Sequence, residues 1–156
     1  MRLAVCSDGH GVWESAAGRL AAEKVDGVVY LGDRVSDGEN VARILGVPLW
    51  CVRGNCDLSY TYDSERVIEP EGVRILLCHG DRHQVKSGLW RLSYRAEELG
   101  CRVVLFGHTH IWCDVEDHGV RLCNPGSMGK ARDGACSVGI LTLDKGEVVE
   151  FRRIFV

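Results

Sequence analysis

Five short apolar runs, at 3–6, 28–31, 49–52, 74–78 and 103–106, mark out the first two-thirds of the chain. Each is strand-sized, and helix-like segments lie among them. Residues 13–24 and 39–45 place Ala, Leu and Ile at helical spacing, and 89–99 sets Leu89, Leu92, Ala96 and Leu99 on one face. This alternation calls for parallel strands covered by helices. Gly27, Gly46 and Gly100 are expected to close the helices or start the next turn.

The last third reads differently. Segments 112–116, 121–124, 138–143 and 148–155 look like strands, separated by Asp117-His118-Gly119 and Asp144-Lys145-Gly146, both hairpin-turn signals. A further short hairpin is expected where 66–69 meets 73–77 across Pro70-Glu71-Gly72. No repeat, linker or low-complexity tract interrupts the chain. With 156 residues and 46% hydrophobic content, one core and one domain spanning 1–156 are expected. The class is α/β, with antiparallel strands joining late and two sheets packed face to face.

Every one of the five early runs leads into potential metal ligands: Ser7-Asp8-Gly9-His10, Gly32-Asp33, Gly54-Asn55-Cys56-Asp57, His79-Gly80-Asp81 and Gly107-His108-Thr109-His110. Loops leaving the carboxyl ends of strands in open α/β sheets converge on one crevice, so ligands distant in sequence become neighbours. Four of the six histidines fall in these clusters. Carboxylate, imidazole and amide oxygen suit Mn, Fe, Co or Zn, whereas an all-oxygen set favours Mg or Ca. The set reads as nitrogen-rich and free of thiol ligands.

Taken in order, Asp-x-His, Gly-Asp, Gly-Asn-x-Asp, His-Gly and Gly-His-x-His resemble the calcineurin-like metallophosphoesterases. The short chain, Cys56 and the Asn124-Pro125-Gly126-Ser127 turn are most similar to the small microbial phosphodiesterases of the YfcE-like subgroup. The resemblance covers nearly the whole chain and implies a four-layer α/β/β/α sandwich of two mixed sheets flanked by helices. It further implies that Asp8, His10 and His110 bind one metal, that Asn55, His79 and His108 bind another, and that Asp33 bridges both. Two divalent transition-metal ions are expected, with Mn first and Fe, Co, Ni or Zn as alternatives. Such a pair shares a hydroxide, orients the phosphate and neutralises charge as the leaving oxygen departs.

The family commonly carries a His at the position of Cys56, where it assists phosphate binding or protonation of the leaving group. Cys56 is therefore a candidate on the leaving-group side, and so is His83, four residues beyond His79. Asp57 is expected to support the ligands rather than bind metal. Arg34, which follows Asp33, meets either a phosphate oxygen or a surface carboxylate. Asn55 is a second substrate-binding candidate.

The expected reaction is hydrolysis of a small phosphodiester, with weaker action on monoesters. A net charge of −3 argues against a broad basic field, so stable nucleic-acid binding is not expected, although a nuclease remains an alternative. The other alternative is a catalytically weak protein-binding scaffold like the related retromer subunit. No apolar stretch approaches the ~20 residues of a membrane span. Eight cysteines without Cys-x-x-Cys spacing, several of them inside apolar runs, read as packing residues of a cytoplasmic protein. A monomer or a homodimer fits equally.

Overall fold

The computed structural model describes residues 1–58 and 60–156. Ten strands form two mixed sheets of five. Sheet A has the order β10-β9-β1-β2-β3, built from β1 (Arg2–Cys6), β2 (Gly27–Tyr30), β3 (Leu49–Cys51), β9 (Ser137–Asp144) and β10 (Glu147–Phe155). Sheet B has the order β4-β5-β6-β8-β7, built from β4 (Glu65–Ile68), β5 (Ile75–Cys78), β6 (Val103–Leu105), β7 (Trp112–Asp117) and β8 (Val120–Pro125).

The apolar runs are continuous because both faces of each strand are covered. Along β1, Leu3 and Val5 point between the sheets, where they meet Ile75, Leu77, Val103 and Leu105. Ala4 and Cys6 point the other way, onto Ala16, Ala17 and Leu20 of helix α1 (Glu14–Leu20) and Val41 and Ala42 of helix α2 (Val35–Leu45). On the far side of sheet B, Leu76 and Val104 pack against Leu92 and Ala96 of helix α3 (Trp90–Glu98). The layers are thus α/β/β/α, as expected.

β1, β2 and β3 run parallel, as do β5, β6 and β8, while β9 is antiparallel to β1 and β10. β8 departs from the purely antiparallel reading of the last third, because it lies parallel to β6 while pairing antiparallel with β7. Both expected late hairpins form. His118 and Gly119 have φ of 51° and 73°, and Lys145 and Gly146 have 48° and 82°, the double positive φ that a two-residue hairpin turn requires. The hairpin of β4 and β5 turns through a short 3-10 segment at Pro70–Gly72.

Three local expectations are corrected. α1 stops at Leu20 rather than reaching Lys24, which itself has φ 50°, outside the helical region. Gly27 belongs to β2 instead of a helix end, and the ring of Trp50 fills the space its side chain would take. α2 begins at Val35, earlier than its apolar periodicity suggests, because a distant carboxylate caps it. Gly38 inside α2 is tolerated for packing. Glycine to alanine in a helix interior ordinarily gains about 1 kcal/mol, yet a Cβ here would lie 2.4 Å from Cγ of the buried Tyr30. Overpacking wins: Gly38→Ala is expected to destabilise by about 1–3 kcal/mol in urea unfolding, and a gain in stability would refute the steric account.

Candidate metal centre

The carboxyl ends of strands from both sheets meet at one edge of the sandwich. Asp8 and His10 follow β1, Asp33 follows β2, and Asn55 follows β3; His79 follows β5, and His108 and His110 follow β6. The ligating atoms of Asp8, His10 and His110 lie within 4.8 Å of one another, as do those of Asp8, Asp33 and His79. The two oxygens of Asp33 face different partners: Oδ1 is 3.4 Å from His79 Nε2, and Oδ2 is 3.9 Å from His10 Nε2. His110 Nε2 is 3.0 Å from Asp8 Oδ1, and His108 Nδ1 is 3.2 Å from His79 Nε2.

Hydrogen bonds aim these atoms inward. His79 Nδ1 donates to the Leu31 carbonyl at 2.7 Å and His110 Nδ1 to the Lys130 carbonyl at 2.7 Å, which leaves each Nε2 with its lone pair toward the carboxylates when the ring is neutral. Asp8 Oδ2 is occupied by the Ser7 hydroxyl at 2.5 Å and the His108 N–H at 3.0 Å. Asp8 Oδ1 and His10 Nε2 are buried and, among the described residues, have no hydrogen-bond partner. Lone pairs of nitrogen and carboxylate oxygen facing one another at such distances require positive charge between them.

The titrations point the same way. Burial raises the Asp33 carboxyl, but His79 and the Cys56 N–H overcome it and hold the group below the usual carboxylate range. Asp8 is likewise raised by burial and lowered further by His110 and His79. Burial lowers His79, yet Asp33 and Asp8 carry it upward, and the adjacent Asp8 carboxylate raises His110. His108 is lowered, first by burial and then by His79. Two ionised carboxylates therefore share one buried pocket, a charge that a protonated imidazole or a divalent cation balances. The oxygen and imidazole donor set, with two orphaned buried ligand atoms, fits a divalent transition metal.

The backbone is strained where these residues sit. Asp8, His10, Asp33, His108 and His110 have φ of 55°, 50°, 60°, 66° and 61°. Each left-handed non-glycine residue costs on the order of 1–2 kcal/mol and persists only where its surroundings enforce it. The enforcers are specific. Tyr30 donates its hydroxyl to the Asp33 carbonyl at 2.9 Å and accepts from the Gly9 N–H at 3.2 Å. Asp37, buried in α2, accepts the Gly11 N–H at 2.8 Å. Ser127 donates to the Asp8 carbonyl at 2.8 Å and accepts from the Lys130 N–H at 2.8 Å. Asn124 reaches the Gly107 carbonyl at 2.9 Å, so the 124–127 turn braces the site directly.

Asp57 takes four backbone N–H donors: Asp33 and Gly54 on Oδ2, Arg34 and Val35 on Oδ1, all between 2.8 and 2.9 Å. It caps α2 across 22 positions and pins the Asp33 loop to the Asn55 loop. Asn55 is exposed, its amide 3.4 Å from the Cys56 thiol, and its neighbour's N–H bonds Asp33 Oδ1 at 2.9 Å. Cys56 Sγ lies within 4.8 Å of ligand atoms of His10 and Asp33. Partial burial, then the adjacent Asp33, pushes this thiol up to about 11. An open cleft of about 510 Å³, lined by His10, Arg34, Cys56 and Lys130, lies alongside. Arg34 Nε also sits 3.5 Å from Asp37 Oδ1.

His83 is turned toward β4: its Nε2 lies 3.2 Å from Glu65, a carboxylate also held by Arg95 at 2.8 Å. Sequence reasoning passed over Tyr30, Asp37, Ser7 and Lys130. Tyr30 and Ser7 carried a signal, since a hydroxyl in or beside an apolar strand needs a partner. Asp37 and Lys130 carried none.

The sequence profile described as the calcineurin-like phosphoesterase superfamily domain matches residues 1–146. A probable metallophosphoesterase of Bacillus subtilis, YsnB, is 36% identical over 148 residues, covering 92% of this chain and 85% of that protein. The solved structure described as a novel archaeal phosphodiesterase superposes with a TM-score of 0.81 at 22% identity and full coverage of both chains, 100% and 100%. Vps29 of Entamoeba histolytica, solved in complex with zinc, superposes with a TM-score of 0.79 at 22% identity, covering 99% of each chain.

Proposed function

The chain belongs to the calcineurin-like phosphoesterase superfamily, and on that premise we propose that it is a phosphodiesterase working through two divalent cations, held by Asp8, His10 and His110 on one side and Asn55, His79 and His108 on the other, with Asp33 between. The observation that carries this reading is the division of Asp33, one oxygen facing His79 and the other His10. A carboxylate so placed would be able to serve two cations at once. When bound, the cations supply Lewis acidity that activates water and offsets charge on the phosphoryl oxygens.

The residues of the chain supply the rest. Water adds to phosphorus, the bond to the leaving oxygen breaks, and that oxygen takes up a proton. Arg34 and Lys130, on the cleft wall beside His10, draw in the phosphate anion and orient it. Cys56, close to Asp33, stands on the leaving-group side, while His83 reaches that side only by giving up Glu65. A thiol is a poor proton donor beside an imidazole. Hydrolysis of aryl phosphodiesters is therefore expected to slow steeply as the leaving phenol becomes less acidic, and Cys56→His to flatten that dependence. A flat series for the unmodified chain, with chemistry rate-limiting, would sink this assignment. His83→Ala is expected to leave the slope unchanged.

The primary test is hydrolysis of bis(p-nitrophenyl) phosphate after Mn²⁺ loading, with elemental analysis of the same sample. Two metal equivalents, activity lost on chelation and restored by Mn²⁺, and an inactive His110→Ala variant are the expected results. Less than one equivalent after loading overturns the dinuclear reading. The Vps29 superpositions favour the scaffold alternative only at the level of fold. A cellular phenotype indifferent to His110→Ala would support it.

A further inference from the structure

A second cavity, of about 290 Å³, opens on the Asn55 side of the cluster. Asp57 and Leu58 line both this cavity and the cleft beside His10, so the two are neighbours across that segment, and Asn55, a proposed ligand, lines the first while His10 lines the second. Its size falls at the lower end of small-molecule sites. The walls carry Arg53, Tyr60, Ser64, Asp81 and Arg82.

These side chains form a recognisable combination. The Arg53 guanidinium carbon lies over the Tyr60 ring, 4.5 Å from its centroid, a cation–π contact that holds the guanidinium at the cavity wall. Arg95 and Arg121 are committed to the carboxylates of Glu65 and Asp114, whereas Arg19, Arg43, Arg66, Arg91 and Arg132 have no such pair among the described residues and lie outside this cavity. Among the described residues, Arg53 and Arg82 are in no such pair. Asp57 is already occupied by four backbone N–H groups. Asp81 repels a bare phosphate, and with the Ser64 hydroxyl it matches the hydroxyls of a sugar. Tyr60, 83% exposed, and Leu58, 93% exposed, present apolar surface at the rim.

We propose that this cavity holds one arm of the substrate, a sugar bearing a second phosphate, with Arg53 and Arg82 on that phosphate and Asp81 and Ser64 on the sugar hydroxyls. The preferred substrate is then a diester of a phosphorylated sugar, a nucleotide arm being the aromatic case. This rests on the phosphodiesterase reading and names the substrate class for it.

Calorimetric titration of the Mn²⁺-loaded protein tests it without requiring turnover. Three probes are used: adenosine carrying a phosphate on each of two ribose hydroxyls, ribose bisphosphate, and adenosine monophosphate. Both bisphosphates are expected to bind about tenfold tighter than the monophosphate. Arg82→Ala and, separately, Arg53→Ala shrink that ratio, and the double variant brings it close to one. Arg34→Ala, in the opposite cleft, weakens all three ligands together and preserves the ratio. A wild-type ratio near one, or one that survives the double substitution, overturns the proposal. Equal binding of the two bisphosphates identifies the sugar phosphate as the recognised unit, and tighter binding of the adenosine compound identifies the nucleotide. Hydrolysis of bis(p-nitrophenyl) phosphate by the same sample separates the two claims: discrimination without hydrolysis removes the enzymatic reading and keeps the subsite, and hydrolysis without discrimination does the converse.

Discussion

Asp33→Asn is expected to lower kcat/KM on bis(p-nitrophenyl) phosphate by at least about a thousandfold, on the order of 4 kcal/mol of transition-state stabilisation. The substitution keeps the shape and keeps an acceptor for the Cys56 N–H. It removes the negative charge and turns one of the two oxygens, which face His79 and His10, into an amide donor. Metal content is expected to fall from two equivalents to one or fewer. The metal-free variant is expected to melt below the metal-free parent at neutral pH, because the ionised carboxylate that His79 and the Cys56 N–H favour in the folded chain is gone. Two firmly held cations together with more than roughly a tenth of the activity would remove Asp33 from the bridging position.

Asp57→Ala has the largest expected effect on folding. Four backbone N–H groups, those of Asp33, Arg34, Val35 and Gly54, lose a charged acceptor at once. Water reaches some of them, so the loss is less than four separate bonds, and about 2–4 kcal/mol is expected in chemical denaturation. Asp57→Asn retains one oxygen and is expected to fall between the two. Because Asp33 and Arg34 hold left-handed φ of 60° and 77° under this cap, weaker metal binding is expected to accompany the loss of stability. A variant that is destabilised but binds metal normally would show that the cap serves the helix alone.

The architecture was legible where local chemistry decides it. The apolar runs became strands, and Asp117-His118-Gly119 and Asp144-Lys145-Gly146 became tight turns, because positive φ at two successive positions leaves few other options. Continuous apolar character announced that both faces of the early strands are covered. It did not announce by what, so the partition of β1, β2 and β3 from β5 and β6 into separate sheets comes only from the fold. The start of α2 depends on Asp57, 22 positions away from Val35, and no periodicity within the helix carries that information.

The candidate site was legible to a different depth. The residues that face one another, Asp8, His10, Asp33, His79, His108 and His110, are those their position at strand ends singled out. What holds them was mostly hidden. Tyr30 braces two loops from within a buried strand, Asp37 holds Gly11 from a helix, and Lys130 orients His110 through its backbone carbonyl. The orientation of His83 was equally hidden, since Glu65 and Arg95, both distant in sequence, turn it.

His79 ends a strand of sheet B and gives its Nδ1 proton to the carbonyl of Leu31, which follows a strand of sheet A. The imidazole is therefore a rivet through the seam of the sandwich, and its other nitrogen faces Asp33 and His108. A cation held by that nitrogen together with Asp8 or Asp33 would close a second stitch across the same seam. Stability would then rise with the logarithm of free metal concentration over the dissociation constant, and the melting temperature would report that concentration. Two laboratories using buffers of different trace-metal content would measure two different stabilities for one sequence.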